Sequence, residues 1–303
     1  MKSFRNTLFF LFLFIITITI TLLFIASIMK DNKALPNKNY DLHKDGFCII
    51  KNVLKEEEIE NIKKQCVNNN YSHVKQYLLN NQKLQNKVFD EIKESAYNTR
   101  NKVSITKDDY VFQDYIWIIK KSSVHTCHRD NNGDFFNEGQ KYPSYTMLIF
   151  LEDMDKCLGV IPSSHKNVNS YNINFHNSVM NLLCNKGDII LFNANLIHVG
   201  ALNEKPDNLR IQMKITHKDD IELLSYYEDY NKVLDKNNEL PFYLKKIQKN
   251  ISCMFPGISN LTQSENIKSS RGSDNGANIG LFQKIFSYLF YGNSNFYDLP
   301  NAF

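Results

Sequence analysis

His128-Arg129-Asp130 sets an imidazole and a carboxylate two positions apart. A β-strand repeats every two residues at about 3.3 Å per residue, so on a strand both side chains leave one face about 6.6 Å apart, and one metal ion can bridge them. A third ligand is available in His198, within Asn195-Leu196-Ile197-His198-Val199-Gly200, after the apolar run Asp188-Ile189-Ile190-Leu191-Phe192. Two imidazoles and one carboxylate make the facial triad that holds non-haem Fe(II) and leaves positions open for substrate and oxygen. Arg210 lies twelve residues past His198, beyond the turn-forming Lys205-Pro206-Asp207-Asn208, on Leu209-Arg210-Ile211-Gln212-Met213-Lys214-Ile215. A guanidinium there suits a bidentate grip on a carboxylate, as a dicarboxylate co-substrate requires. An isolated H-x-D arises often by chance and by itself favours no metal; the weight lies in its order and company.

The elements that must position these residues follow from periodicity. From Tyr110 the chain breaks into short runs rich in β-branched and aromatic residues, such as Tyr115-Ile116-Trp117-Ile118-Ile119 and Tyr145-Thr146-Met147-Leu148-Ile149-Phe150-Leu151. Strands at that spacing point to an antiparallel barrel or sandwich. On the strand carrying the H-x-D, positions 126, 128 and 130 share a face; His125 and Cys127 share the other, which removes His125 as a ligand and turns the Cys127 sulfur away. In the Arg210 strand, Leu209, Ile211, Met213 and Ile215 form an apolar face that needs helices to cover it. Arg210, Gln212, Lys214 and Thr216 form the polar face that lines the barrel mouth, and His217 falls on the wrong face to join the metal. Tyr145 and Thr146 offer hydroxyls to a co-substrate, with plain strand filling as the competing reading. Upstream, Gly46 to Ile50 reads as a strand, Leu54 opens an acid-first helix, and a further helix is expected from Ser72 to Glu94 with Val74, Tyr77, Leu78 and Leu84 as its buried stripe. Downstream, Ile221 to Leu234 and Tyr243 to Ile251 have helical patterns, Gln263 to Asn278 reads as a flexible loop, and the apolar Leu281 to Phe290 is expected to dock on the domain's own core, with a place on the membrane interface as the alternative.

With 303 residues, 43% hydrophobic and 22% charged, the chain can bury one sizeable core. A net charge of +4 is spread without a basic stripe, which argues against nucleic acid as a partner. Cys48, Cys66, Cys127, Cys157, Cys184 and Cys253 show no C-x-x-C spacing, so neither a zinc site nor a redox dithiol is suggested. Residues 8–29 carry no charge and include sixteen Leu, Ile or Phe, worth roughly −5 to −10 kcal/mol of insertion free energy, more than Thr17, Thr19 and Thr21 offset. The segment is long for a cleaved signal and lacks a small-x-small site, so it is read as an uncleaved single-pass anchor in a membrane. Lysines flank both sides and leave the orientation open, with the endomembrane system favoured. Sequons at Asn70, Asn250 and Asn260 are near chance in so Asn-rich a chain.

Four segments, taken in order, resemble the phytanoyl-CoA dioxygenase family of Fe(II)/2-oxoglutarate oxygenases: Lys44-Asp45-Gly46-Phe47-Cys48-Ile49-Ile50-Lys51; His128-Arg129-Asp130; Leu158-Gly159-Val160-Ile161-Pro162-Ser163-Ser164-His165-Lys166; and Gly187-Asp188-Ile189-Ile190-Leu191-Phe192 leading to His198 and Arg210. The resemblance spans roughly residues 40 to 217, and the family usually has Gly where Ser163 stands. It implies a mainly β fold with flanking helices, a double-stranded β-helix (jelly-roll or cupin-like) barrel, here preceded by a transmembrane helix. The domain plan is then 1–34 as membrane anchor; 35–222 as dioxygenase domain, with helical support 54–100 and barrel 104–218; and 223–303 as a C-terminal helical extension with the flexible loop 263–278. It further implies Fe(II) on His128, Asp130 and His198, 2-oxoglutarate gripped by Arg210 beside the Tyr145 strand, dioxygen as oxidant, and His165 packing a loop. Because Asp130 occupies the position that halogenating relatives leave for chloride, the implied reaction is hydroxylation or a similar oxidation of a small-molecule or lipid-like substrate. A non-catalytic metal- or ligand-binding jelly roll at a membrane, and a zinc hydrolase on the same ligands, are the alternatives.

Overall fold

A computed structural model describes residues 2–33, 35, 38–97, 106–121, 127–130, 140–154, 156–166, 179–202, 209–223, 230–235 and 240–254. In chain order these form helix α1 (Lys2–Ile28), strands β1 (Asn32–Lys33) and β2 (Phe47–Ile50), and helices α2 (Glu56–Val67), α3 (Tyr71–Asn80) and α4 (Gln82–Tyr97). Strands β3 (Tyr110–Lys121), β4 (Tyr145–Phe150), β5 (Leu158–Val160), β6 (Met180–Asn181) and β7 (Ile189–Asn193) follow. Strands β8 (His198–Gly200), β9 (Arg210–His217) and β10 (Tyr230–Asp235) and helix α5 (Phe242–Met254) complete the described chain.

α1 is long and apolar enough to cross a membrane over Arg5–Ile28. The hydroxyls of Thr17, Thr19 and Thr21 donate to the carbonyls of Leu13, Ile15 and Thr17 at 2.9, 2.9 and 2.8 Å, which satisfies them inside the helix. Its last turn is docked: Ala26 and Met29 are buried, the Asn250 amide on α5 donates to the Ala26 carbonyl at 2.6 Å, and Lys249 pairs with Asp31.

Helix α2 begins where the Glu58 carboxylate accepts from Lys55 N at 2.8 Å, beneath an acidic first turn. The single helix expected over 72–94 is two helices. Asn81 breaks it, because its side-chain oxygen accepts from Leu84 N at 3.0 Å and starts α4 afresh.

The strands lie in two sheets. The larger has the order β10-β3-β9-β4-β7-β2, antiparallel except for β10, which runs parallel to β3. The smaller has the order β1-β6-β5-β8. Faces sort by parity as the β9 alternation requires: Ile211, Met213 and Ile215 join Met147, Ile149, Ile189 and Leu191 against Ile62, Leu78, Leu84, Val88 and Ile92 of the helices. On the other face Leu148, Phe150, Ile190 and Phe192 meet Leu158, Val160, Leu182 and Leu196 to fill the space between the sheets. At roughly 1.5–3 kcal/mol per fully buried large apolar side chain, these two layers are the main source of stability. Outside the smaller sheet, Val179, Ile197 and Val199 pack with Cys127 and Cys253, which form a disulfide tying α5 to the segment before His128. The remaining four cysteines are buried thiols.

Two further expectations change. The architecture is a mixed helix-and-sheet fold, and among the described residues the two sheets do not close into a barrel. Residues Tyr230–Asp235, expected within a helix, pair with Tyr115–Lys121, because an open sheet edge outweighs local preference. Asn231 locks that register by accepting from Ile116 N at 3.1 Å. His125, the loop 263–278 and the segment 281–290 lie outside the described residues.

Candidate metal centre

The centre begins with a backbone contact between two distant segments. His128 and His198 exchange paired N–H to O=C bonds, both 2.9 Å, so the H-x-D segment is clipped to the edge of β8. That bridge sets the imidazole rings 4.3 Å apart between centroids. Asp130, two residues on, brings Oδ1 to 3.3 Å from His198 Nε2 and 3.5 Å from His128 Nε2. The three ligand atoms lie within 4.8 Å of one another. Cys127 turns the other way into its disulfide, as the alternation requires.

The loops around His198 are braced. Gly46 (φ 88°) leaves no room for a side chain, since a Cβ there would stand 2.4 Å from His165 Nδ1. Ser163 sits at φ 64°, a left-handed conformation that favours glycine, and offsets the strain with N–H to Asp45 O and Oγ–H to Lys44 O bonds, both 2.7 Å. His165 donates from Nε2 to His43 O at 3.0 Å, a packing role in that loop. Arg129, buried between two ligands, donates to the carbonyls of Ser164 (3.1 Å) and Asn195, tying both loops together.

The electrostatics suit a cation. His198 Nδ1 lies 3.0 Å from the Leu196 carbonyl, which can only accept, so the proton is on Nδ1 and the Nε2 lone pair faces the cluster. Burial pushes the His198 pKa down, further than Asp130 raises it, which favours the neutral, ligating imidazole. Burial alone would push Asp130 up, but Lys214, His198 and His128 outweigh it and hold the carboxyl well below the usual range. The second oxygen of Asp130, Oδ2, accepts from Thr146 Oγ1 and from Lys214 Nζ, each at 2.6 Å, and Lys214 also donates to Thr146 at 2.7 Å. Two imidazole nitrogens and an ionised carboxylate, with His198 and Asp130 each held in orientation by a second contact, fit Fe(II).

Of the expected co-substrate residues, Thr146 is at the cluster, facing Lys214 across the β4–β9 ladder. Arg210 is on the same face four positions along, opposite Phe150, buried, with a pKa lowered by burial to about 10 and still charged at neutral pH. Tyr145 is a correction. Strand parity turns it to the helix side, where its hydroxyl bonds with Ser95 and Tyr110 and burial lifts its pKa to about 12. His217 stacks on Tyr142 away from the cluster. Lys214 and Arg129 were not singled out by spacing; the Lys214 signal was its parity with Arg210, and Arg129 carried none beyond its place inside H-x-D.

A His-x-Asp…His cluster of this kind is the ligand set of non-haem Fe(II) oxygenases. Residues 65–210 match the family model of phytanoyl-CoA dioxygenase (PhyH), so the chain carries a PhyH-family dioxygenase domain whose match takes in all three ligands and ends on Arg210. No curated protein matches the sequence. Similar solved structures include EvdO2 from Micromonospora carbonacea var. aurantiaca complexed with 2-oxoglutarate, at 12% identity and TM-score 0.42, covering 62% of this chain and 94% of that one. Apo HygX from Streptomyces hygroscopicus is 15% identical at TM-score 0.36, covering 58% and 84%. The non-heme alpha ketoglutarate dependent carbocyclase SnoK from nogalamycin biosynthesis is 13% identical at TM-score 0.39, covering 58% and 81%.

Proposed function

We propose that this chain is a membrane-anchored dioxygenase that hydroxylates an organic small-molecule or lipid-like substrate while converting 2-oxoglutarate and dioxygen to succinate and CO2. The observation that carries this reading is the Asp130 carboxylate, whose Oδ1 faces both Nε2 atoms while Oδ2 is held elsewhere. His128, Asp130 and His198 would hold the ion, and Arg210 would hold the far carboxylate of 2-oxoglutarate. Bound Fe(II) supplies dioxygen activation, with one oxygen atom going to succinate and one to the substrate. The chain's own residues keep His198 neutral, Asp130 ionised and Arg210 charged, and Leu148, Phe150 and Phe192 exclude water from the space between the sheets.

The chain's passage between sheets supports a double-stranded β-helix: β3 in the larger, the His128 segment against the smaller, β4 larger, β5 and β6 smaller, β7 larger, β8 smaller, β9 larger. We read residues 1–34 as the anchor, 35–222 as the dioxygenase domain and 223–303 as an extension whose β10 and α5 pack back on it. The docking of α1 on α5 supports a domain seated at the bilayer surface, where Phe242, Tyr243 and Leu244 at the start of α5 are exposed. The Cys127–Cys253 disulfide supports a non-cytosolic side, since such bonds persist in oxidising compartments. The test is metal analysis of the full chain purified in detergent without oxygen, with succinate release assayed on added Fe(II) or Zn(II). Iron in the wild type and its loss from a folded Asp130→Ala variant are expected; wild-type iron occupancy in that variant would overturn the reading.

A further inference from the structure

We propose that Lys214 is a positioning residue for the metal centre, presenting Asp130 through one oxygen and biasing the centre toward the ferrous state. The inference rests on the metal reading above and gives the lysine that holds Oδ2 a role in the redox balance of the centre. Lys214 is 2% exposed and reaches the cluster from β9. Its ammonium donates to Asp130 Oδ2 at 2.6 Å and to Thr146 Oγ1 at 2.7 Å, while Thr146 donates to the same Oδ2 at 2.6 Å. The ladder enforces the meeting, because Thr146 and Lys214 are directly paired across β4 and β9.

Two donors on Oδ2 leave Oδ1 as the oxygen that both imidazoles face. A carboxylate without them can rotate or offer both oxygens, so the pair sets how the ligand is presented, the task of an outer-shell contact. The ammonium also places a fixed positive charge one carboxylate away from that position, in a buried setting where charges are weakly screened. A fixed cation opposes a further positive charge on the ion, so it disfavours the ferric state more than the ferrous. The ring of Tyr115, 5.8 Å from Nζ, faces the same ammonium.

The test separates orientation from charge. Full-length chains with Lys214→Met, Lys214→Gln and Lys214→Arg are purified in detergent, checked by thermal melting, and titrated anaerobically with Co(II); the Fe(III)/Fe(II) midpoint potential is then measured without 2-oxoglutarate. Both neutral substitutions relieve the ammonium's repulsion of the bound ion, so the orienting donor is read from the difference between them: Lys214→Met, which keeps no donor, should bind Co(II) at least tenfold more weakly than Lys214→Gln, which keeps one. Both should favour Fe(III) at least tenfold more than wild type does, a negative shift of about 59 mV for one electron, whereas Lys214→Arg should hold the wild-type potential. A lysine that only fills space would change melting and leave the potential alone. An unchanged potential in Lys214→Gln, or equal Co(II) affinity in Lys214→Met and Lys214→Gln, overturns the proposal while leaving the centre standing; a wild-type chain that binds neither ion overturns both.

Discussion

Cys253→Ala removes the covalent link between α5 and the segment that carries His128. The bridge spans 126 residues, for which the loop-entropy estimate is about 5 kcal/mol, an upper value because strain and denatured-state structure reduce it. For a domain of this size each kcal/mol moves the melting temperature by about 2–4 °C, so a fall of about 10–20 °C is expected. The ligands should stay in place, because the bonds that set them do not run through the sulfurs. His128 is clipped to His198 by two 2.9 Å backbone bonds, Asp130 is held by Thr146 and Lys214, and Cys127 N still donates to Ser252 Oγ at 2.8 Å. The assay is thermal melting of the full chain in detergent, with and without a dithiol reductant, beside Co(II) titration at a temperature where the variant remains folded. A large loss of melting temperature with wild-type Co(II) affinity is expected, matched by reduced wild type. Loss of metal from folded Cys253→Ala would show that the site depends on the bridge, and a melting change under about 2 °C would refute the bridge as a stabilising link.

Arg210→Ala should raise the 2-oxoglutarate concentration needed for half-maximal succinate release by about 10- to 150-fold, the equivalent of a lost charged hydrogen bond of about 1.5–3 kcal/mol; an unchanged requirement would move the grip to another residue. The His198 pKa is lowered by burial, so its contribution to stability is intact above the ordinary imidazole value of about 6.5 and is lost as pH falls below it. Metal-free wild type should therefore lose more melting temperature than His198→Gln between about pH 6.5 and 5, and parallel curves would contradict the burial argument. Asn70 is exposed at the start of α3, whereas the Asn250 amide is buried against Ala26, so translation into sealed microsomes should add a glycan that Asn70→Gln removes. Digestion of the domain from the outside of those microsomes would place it on the cytosolic face instead.

Strand parity carried the most information in the sequence. It sorted Ile211, Met213 and Ile215 toward covering helices and Arg210 and Lys214 toward the site, and it turned Cys127 away from His128 and Asp130. Parity fails where a second segment decides the outcome. Tyr145 and Thr146 each offer a hydroxyl, and only the β4–β9 register shows that Thr146 meets Lys214 while Tyr145 meets the helices. No spacing rule joins Cys127 to Cys253 across 126 residues, and nothing local in Tyr230–Asp235 announces a parallel partner at Tyr115. The break at Asn81 was legible in principle, since Asn favours a helix start over a helix interior.

The separations inside the cluster also order its assembly in time. Asp130 reaches Thr146 across 16 residues, His128 meets His198 across 70, and Lys214 returns across 84. The first can form once β4 has been made, but the other two must wait for β8 and then β9 to leave the ribosome, and each of these long closures must be reached by a slow, non-local search. The ligand set is therefore a late product of folding: a truncated chain ending before Lys214 could carry all three ligands and still lack the bond that orients Asp130. Iron loading can thus report completed folding, and a chain stalled before β9 would be poorly prepared to hold a reactive ion.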